Sequence, residues 1–496
     1  MAPNSSTIEG IFYGAALPAR AFMPAPKLVN DIHSGLNETA VAEVLRPAHL
    51  EDVVELVQEA NTDRPLCASG GRHSMGGQQF ARGGTLVDTR GLDRIGAFDR
   101  VNGLIEVGAG IQWPQLIGAL ELLQVGDARP WCIAQKQTGA DRLTLGGALS
   151  SNVHGRGLAM RPIISDVESF QMVNARGELL RCSRSENREL FRLAIGGYGL
   201  FGIIVTVTLR LIPRQKLERR VAVIDIEDVM AAFDRRIAEG FLYGDFQFAI
   251  DNDSPDFMRR GVFSCYKPVD PRTAVPEAQR ALSPDDWRNL LTLAHTDKSR
   301  CWKLYSEHYL KTDGQVYWSD RHQLSTYSDD YHRELDERLG TCPGSEMITE
   351  IYVPRHQLCA FMRSAAEEFR RTEVNCVYGT VRLIERDDES YLAWARQDWA
   401  CVVFNLHSDH DARSLDRSAD AFRALINLAI DNEGSYYLTY HRHATRGQVL
   451  ACYPNFPGFL RAKRRYDPRE IFQSEWYRHY ALMFADRLRG PRFRRG

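Results

Sequence analysis

His73 stands in "CASGGRHSMGGQQF", Cys67 to Phe80, a run built mostly of glycine, serine and alanine. So pliant a backbone either bends around a bound group that the imidazole touches, or forms a turn that happens to hold a histidine. His154 lies in a second small-residue run, "TLGGALSSNVHGRG", Thr144 to Gly157, and a third, "GGYGLFG", holds a literal GxGxxG from Gly197 to Gly202. A dinucleotide fingerprint needs a strand before its glycines and a helix after them, so that the pyrophosphate meets the helix N-terminus. Here "ENRELFRLAI" reads as a helix before and "IIVTVTL" as a strand after, so no nicotinamide site is expected there. Two clusters invite a metal: "YHRHA", with His441 and His443 on one side of an expected strand, and "HSDHD", with His407, Asp409 and His410. Metal sites need further ligands at defined geometry. The sequence does not fix them, and no metal is expected. His407, ending the strand "VVFNLH", is instead a candidate proton acceptor, since an imidazole near its ordinary pKa of about 6.5 can take a proton at neutral pH.

Elements that could position these groups follow from residue 40 onward. "LEDVVELVQEA" places Leu50, Val53, Val54 and Val57 on one helical face, and "PLCA" and "TLVDT" read as short buried strands around the first glycine loop. "RIGAFDRVNGLIEVGAG" reads as a hairpin about Asn102-Gly103, because that dipeptide accepts the positive φ of a tight turn. Pro114 suits the first turn of a helix "PQLIGALELL". "DVESFQMVNARGELLRC" reads as a second hairpin and "GIIVTVTLRLIP" as a β-branched strand that Pro213 closes. After it come "VAVIDI", a helix near "EDVMAAFDRRIAE", and "GDFQFAID"; then a polar, irregular section, Lys267 to Gly344, rich in Tyr, Trp and Asp. Strand "EMITEIYVP", helix "QLCAFMRSAAEEFRR", strands "NCVYGTVRLIE" and "ACVVFNLH", helix "SADAFRALINLAI" and strand "YYLTYH" lead to a helical, aromatic tail. The charge-rich "RLIERDDESYLAWARQDW" reads as a solvated face.

At 496 residues the chain exceeds one ordinary core and predicts two or three domains. Its 44% hydrophobic and 25% charged content is that of a soluble globular protein, and a net charge of −2 argues against nucleic acid or an anionic membrane as partner. No apolar run suits a membrane span, and "MAPNSSTIEGIFYGAALPAR" lacks the pattern of a signal peptide. Ten scattered cysteines with no CxxC pair predict neither zinc nor a disulfide framework, and point to a reducing, cytoplasmic setting.

Taken in order, "ASGGRHSMGG", "TLGGALSSNVHGRG" and "GGYGLFGII", with "EVGAGIQWPQL" and the tail "KRRYDPREIF", resemble the FAD-binding proteins of the vanillyl-alcohol oxidase / p-cresol methylhydroxylase superfamily. The branches most similar are the alditol and aldonolactone oxidases and the decaprenylphosphoryl-ribose oxidases. The resemblance implies an α+β fold: a PCMH-type FAD-binding domain over residues 40–215, an antiparallel-sheet substrate domain over 216–449, and a segment 450–496 returning to the first, after an N-terminal segment 1–39.

It also implies site residues. Ala68, Ser69, Gly70, Gly71, Arg72, His73 and Ser74 would cradle the diphosphate, since successive backbone amides of a glycine-rich turn can form an anion nest. Thr144, Gly147, Ser150, Ser151, Asn152, Val153, His154 and Gly155 would run beside the isoalloxazine, where bulk would displace the ring, with His154 a neighbour rather than a base. Ile203 and Ile204 would hold the adenine end by backbone. Members with covalent flavin carry a histidine at the His73 position, bonded to the flavin 8α carbon; the decaprenylphosphoryl-ribose oxidases lack it. Cys132, in "PWCIAQ", does not match a second anchor and reads as a buried cysteine. On the substrate side, Arg382 keeps the arginine of an alditol-oxidase Glu-x-Arg pair, while Thr380 replaces the glutamate. Tyr440 stands where the decaprenylphosphoryl-ribose oxidases carry lysine, with Tyr437 close by.

The implied activity is oxidation of a CH–OH group of a small molecule such as a sugar or alditol. Dioxygen or another carrier would be the electron acceptor, and Arg382, Tyr440 and His407 the candidate catalytic residues. Two alternatives stay open: a noncovalent flavin enzyme acting on a lipid-linked sugar or reducing a sterol-like C=C bond, and a redox-inactive binding protein on the same scaffold.

Overall fold

The computed structural model describes residues 25–325 and 331–488; the N-terminal stretch quoted above and part of the aromatic section lie outside the described residues. A three-stranded parallel sheet comes first. Strand Thr85–Asp88 lies between Glu43–Leu45 and Leu66–Ser69. Helix Leu50–Glu59 covers it with Val53 and Val57, both fully buried against Val87, Ile203 and Phe472. A five-stranded antiparallel sheet adjoins, in the order Leu179–Ser183, Val167–Val173, Ile203–Arg210, Leu104–Gly108, Ile95–Asp99. The two hairpins read from sequence form its edges. At the turn between the last pair Gly103 adopts φ +65°, the conformation that made Asn-Gly a hairpin signal.

An eight-stranded antiparallel sheet makes up the second half of the fold. Its long central strands are Tyr243–Phe248, Cys376–Ile384, Trp399–Asp409 and Gly344–Pro354. Helices Leu358–Thr372 and Ala412–Asp431 bury Phe361, Phe369, Phe422 and Leu425 beneath it. The tail crosses back to the parallel sheet: Leu66 N–H donates to Ile471 O at 2.7 Å, and Gln473 N–H to Leu66 O at 2.9 Å. The fold is α+β, with a first part built on the parallel and five-stranded sheets and a second built on the eight-stranded antiparallel sheet. Among the described residues no helix is long and apolar enough to cross a membrane.

Two local expectations need correction. The section expected to be irregular carries helices Pro284–Thr296 and Lys298–Leu310, and Tyr331–Leu339 beyond. Ser283 and Asp286 form a reciprocal capping box with Pro284 at the helix start, and Asp297 caps the next helix. Those local signals outrank the polar composition. Conversely, of "YYLTYH" only Tyr436 pairs as strand, in the short Ser435–Tyr436. The chain then leaves the sheet, because its carbonyls serve the first glycine loop: Gln78 Nε2 donates to Leu438 O and Thr439 O at 3.1 and 2.9 Å.

Candidate active site

The three glycine-rich segments line one narrow cleft. Ala68–Ser74 forms one wall, Gly147, Ser150 and Ser151 another, and Ile203–Ile204 with Gly199 and Gly202 the end. Helix Arg188–Ala194 precedes the GxGxxG and strand Ile203–Arg210 follows it, so that motif is not a Rossmann turn. The first loop must be glycine where it touches the second: a Cβ on Gly70 would stand 2.0 Å from Thr144 Oγ1, and one on Gly71 would stand 2.1 Å from Arg142 O. The cleft also holds polar groups with no acceptor inside the protein. Ser69 Oγ and Arg72 Nε are buried without a hydrogen-bond partner, and the amides of Gly71, Arg72 and Ser74 donate to nothing among the described residues. Buried donors of that kind cost free energy unless a ligand accepts from them. A diphosphate does so, and the cleft therefore fits the diphosphate of FAD.

His73 is buried in the same wall. Its Nδ1 lies 2.9 Å from His33 Nε2, and the two rings sit 4.9 Å apart. Burial, with the neighbouring His33 ring, pushes the His73 imidazole down to about 3. The ring is thus neutral, with a nucleophilic lone pair, across the working pH range. His33 belongs to the wall of a second, larger cavity, so the histidine pair marks where cleft and cavity meet.

That cavity, about 1600 Å³, lies over the eight-stranded sheet. Arg382 and Tyr440 both line it, and both converge on a residue the sequence reading missed, Glu350. Tyr440 donates to Glu350 Oε1 at 2.7 Å, Tyr352 donates to Oε2 at 2.9 Å, and His154 Nε2 lies 2.9 Å from Oε2. Burial pushes the Glu350 carboxyl up; the His154 ring, the Arg382 charge and the Tyr440 hydroxyl outweigh it and hold it at about 2. Glu350 is accordingly an anion. Burial and that anion push the Tyr440 phenol well above its ordinary range, so Tyr440 acts as a proton donor in hydrogen bonds and not as a base. His154 Nδ1 faces Gly155 O at 2.9 Å while Nε2 faces Glu350, so both ring nitrogens lie against acceptors. A signal for Glu350 existed: in "EMITEIYVP" it is flanked by Met347, Ile348, Ile351 and Val353, and a carboxylate set among such residues in a strand has to be paired.

The remaining expected site residues divide. Thr144 caps helix Leu145–Ser151, accepting from Gly147 N–H at 3.2 Å. Asn152, at φ +50°, donates to Asp387 Oδ2 at 2.9 Å and accepts from Ile164 N–H, and Val153 packs in the core. Asn152, Val153, His154 and Gly155 do not line the cleft; His154 turns to the Glu350 side instead. Tyr437 is fully buried and donates to Ser151 O at 2.5 Å, fixing the second glycine segment from behind. His407 does not join Arg382 and Tyr440: its ring lies 4.8 Å from that of His295, outside the cavity wall, because its position at the strand end faces the added helices. Cys132 is buried with its Sγ 3.3 Å from Ser319 Oγ, away from the cleft, and all ten cysteines are free. The imagined metal pair dissolves as well. His441 and His443 stack on Phe422 at 4.2 and 5.7 Å instead of flanking a strand.

The glycine cleft with its unsatisfied donors defines a flavin-nucleotide-binding protein. Residues 41–183 match the family model for the FAD binding domain. That match assigns those residues to a PCMH-type FAD-binding domain, and the relatives below are consistent with the vanillyl-alcohol oxidase / p-cresol methylhydroxylase superfamily. It is similar to cytokinin dehydrogenase 8 of Oryza sativa subsp. indica, 33% identical over 205 residues that cover 38% of this chain and 37% of that protein. It is also similar to cytokinin dehydrogenase 3 of Arabidopsis thaliana, 28% identical, with 44% and 42% covered. Mitochondrial L-galactono-1,4-lactone dehydrogenase of Brassica oleracea is 29% identical, with 42% and 35% covered. The chain spans little more than a third of the length of the first of these relatives.

Proposed function

We propose that this protein is an FAD-dependent oxidoreductase that oxidises a CH–OH group of a small molecule, with the flavin bonded through His73 to its 8α carbon. The convergence of three glycine-rich segments on one donor-rich cleft, with a neutral, buried His73 in its wall, carries the reading. When bound there, FAD supplies the two-electron acceptor that takes a hydride at N5 from the carbinol carbon.

The chain's own residues do the rest. Ala68–Ser74 binds the diphosphate, and the small side chains of Gly147, Ser150 and Ser151 leave room for the flat ring. Arg382 and Tyr440 both stand in the cavity wall: Arg382 presents positive charge to the oxygen of the substrate, and Tyr440, whose proton is held by Glu350, presents its phenol oxygen as an acceptor that would orient the substrate hydroxyl. Glu350 holds Tyr440 in place and offsets the charge of Arg382. Buried Arg156 and Arg219 stand beside Tyr266 and Tyr309, with guanidinium carbons 4.8 Å from the Tyr266 ring and 4.5 Å from the Tyr309 ring. These surroundings favour a ring-bearing or sugar-like substrate with an anionic group.

Acid precipitation followed by mass spectrometry of the peptide spanning Arg72 and His73 tests the covalent bond. The expected result is that peptide carrying the flavin mass; an unmodified peptide, with all flavin in the supernatant, refutes it. Bleaching of the bound flavin by an alcohol without a nicotinamide tests the reaction class. Bleaching by NADPH with reoxidation by an unsaturated substrate would assign the reverse chemistry, and a colourless protein that takes up no FAD would assign a binding role.

A further inference from the structure

Three imidazoles meet one carboxylate away from Glu350, and each comes from a different element. His295 ends helix Pro284–Thr296, His332 begins helix Tyr331–Leu339, His407 lies on strand Trp399–Asp409, and Glu346 on strand Gly344–Pro354. Glu346 and His407 are directly opposed in the antiparallel ladder, so the sheet register itself brings them side by side. His295 Nε2 lies 3.2 Å from Glu346 Oε1, and His332 Nε2 hydrogen-bonds to Oε2. The His407 ring stands perpendicular to that of His295 at 4.8 Å and parallel to that of His332 at 5.9 Å. One ligand atom each from His295, Glu346 and His407 falls within 4.8 Å of the others.

The contrast with Glu350 separates the two groups chemically. There, phenols and an imidazole use both carboxylate oxygens, and both His154 nitrogens have acceptors. Around Glu346 the buried Nδ1 atoms of His332 and His407 have no hydrogen-bond partner among the described residues. A buried imidazole nitrogen left so is costly. His407 Nε2 also lies 3.3 Å from Asp409 Oδ1, a second carboxylate beside the cluster. A divalent ion draws such a cluster together, since neutral imidazoles and a carboxylate are its preferred donors.

We propose that His295, His332, His407 and Glu346 form a binding site for a divalent transition-metal ion of the imidazole-preferring class, such as zinc. Metal–ligand bonds of about 2.0–2.2 Å put tetrahedral donors about 3.4 Å apart, so a small inward movement of the rings completes the site. Since His332 and Glu346 also line the large cavity, the ion ties two helices to the sheet at the cavity wall. The site does not depend on the flavin reading.

Zinc is titrated by calorimetry into the full chain after dialysis against a chelator, and the bound ion is examined by X-ray absorption. One zinc per chain, with a first shell of nitrogen and oxygen and the imidazole scattering signature, is expected. Glu346→Gln and His407→Ala each weaken binding by more than about 100-fold, the upper end of what loss of even an outer partner costs. His49→Ala, at an exposed helix start, leaves it unchanged. Circular dichroism in chelator shows whether each variant is folded; should His407→Ala fail to fold, His332→Ala, on a separate helix, carries the same comparison. No saturable single site, an adventitious metal only, or zinc affinity unaltered in the folded variants overturns the assignment.

Discussion

Replacing Glu350 by glutamine removes one charge and little else from the buried hub that holds Tyr440, Tyr352 and His154. An ordinary glutamate titrates at 4.5, whereas Glu350 in the folded protein titrates at about 2. At 1.36 kcal/mol for each tenfold change in proton affinity, that difference contributes about 3 kcal/mol to stability. Because the folded carboxyl is the stronger acid, the contribution is complete above about pH 4.5 and disappears as pH falls toward about 2. The glutamine variant also leaves the Arg382 charge without this counter-ion, and breaking a buried charged contact typically costs about 3–5 kcal/mol. Urea unfolding at pH 7 should therefore show Glu350→Gln destabilised by about 3 kcal/mol or slightly more. The gap to the parent should narrow as both are measured at successively lower pH below 4.5. Glu346, also held at about 2, is present in both proteins and cancels in the comparison. A difference below about 1 kcal/mol at pH 7, or one that stays constant down to pH 3, would show that Glu350 is not the paired anion derived above.

Tyr440→Phe keeps the ring and removes the only hydroxyl among the described residues that both reaches Glu350 Oε1 at hydrogen-bond distance and lines the cavity, so kcat should fall by about 10²-fold or more with flavin content unchanged; steady-state kinetics on a bleaching substrate checks it. Gly70→Ala drives a methyl into Thr144 Oγ1 and should lower both the flavin-to-protein absorbance ratio and the thermal midpoint, by about 1–3 kcal/mol of overpacking. His33→Ala deprives His73 Nδ1 of its partner and should lower the acid-resistant flavin fraction without emptying the cleft, read as the ratio of precipitated to released flavin. Because His73 stays neutral down to about 3, that fraction should not vary between pH 5 and 8 in the parent; a rise through pH 6.5 would contradict its buried setting.

The amino-acid sequence by itself determined the features that depend on near neighbours in the chain. Hairpins at Asn102-Gly103 and at residues 174–178, the helix of Val53 and Val57, and the three glycine runs each rest on backbone freedom or periodicity within a dozen residues, and each is where it was expected. His73 was legible for the same reason, since its glycine-rich surroundings are contiguous with it. The helices at Pro284–Thr296 and Lys298–Leu310 were legible too, in their caps, but composition hid them.

What only the tertiary structure decided is how separate segments meet. Glu350 acquires His154, Tyr352 and Tyr440 because strand Gly344–Pro354 and the chain leaving the sheet at Tyr436 both pass the end of the second glycine run, 196 residues from His154 in sequence. His407 is drawn from an expected substrate role to the side of Glu346 by the antiparallel register, and His33 reaches His73 across 40 residues. Charge pairing acts through space, at distances of about 3 Å, and a linear pattern carries no information on which distant groups the packing will bring that close.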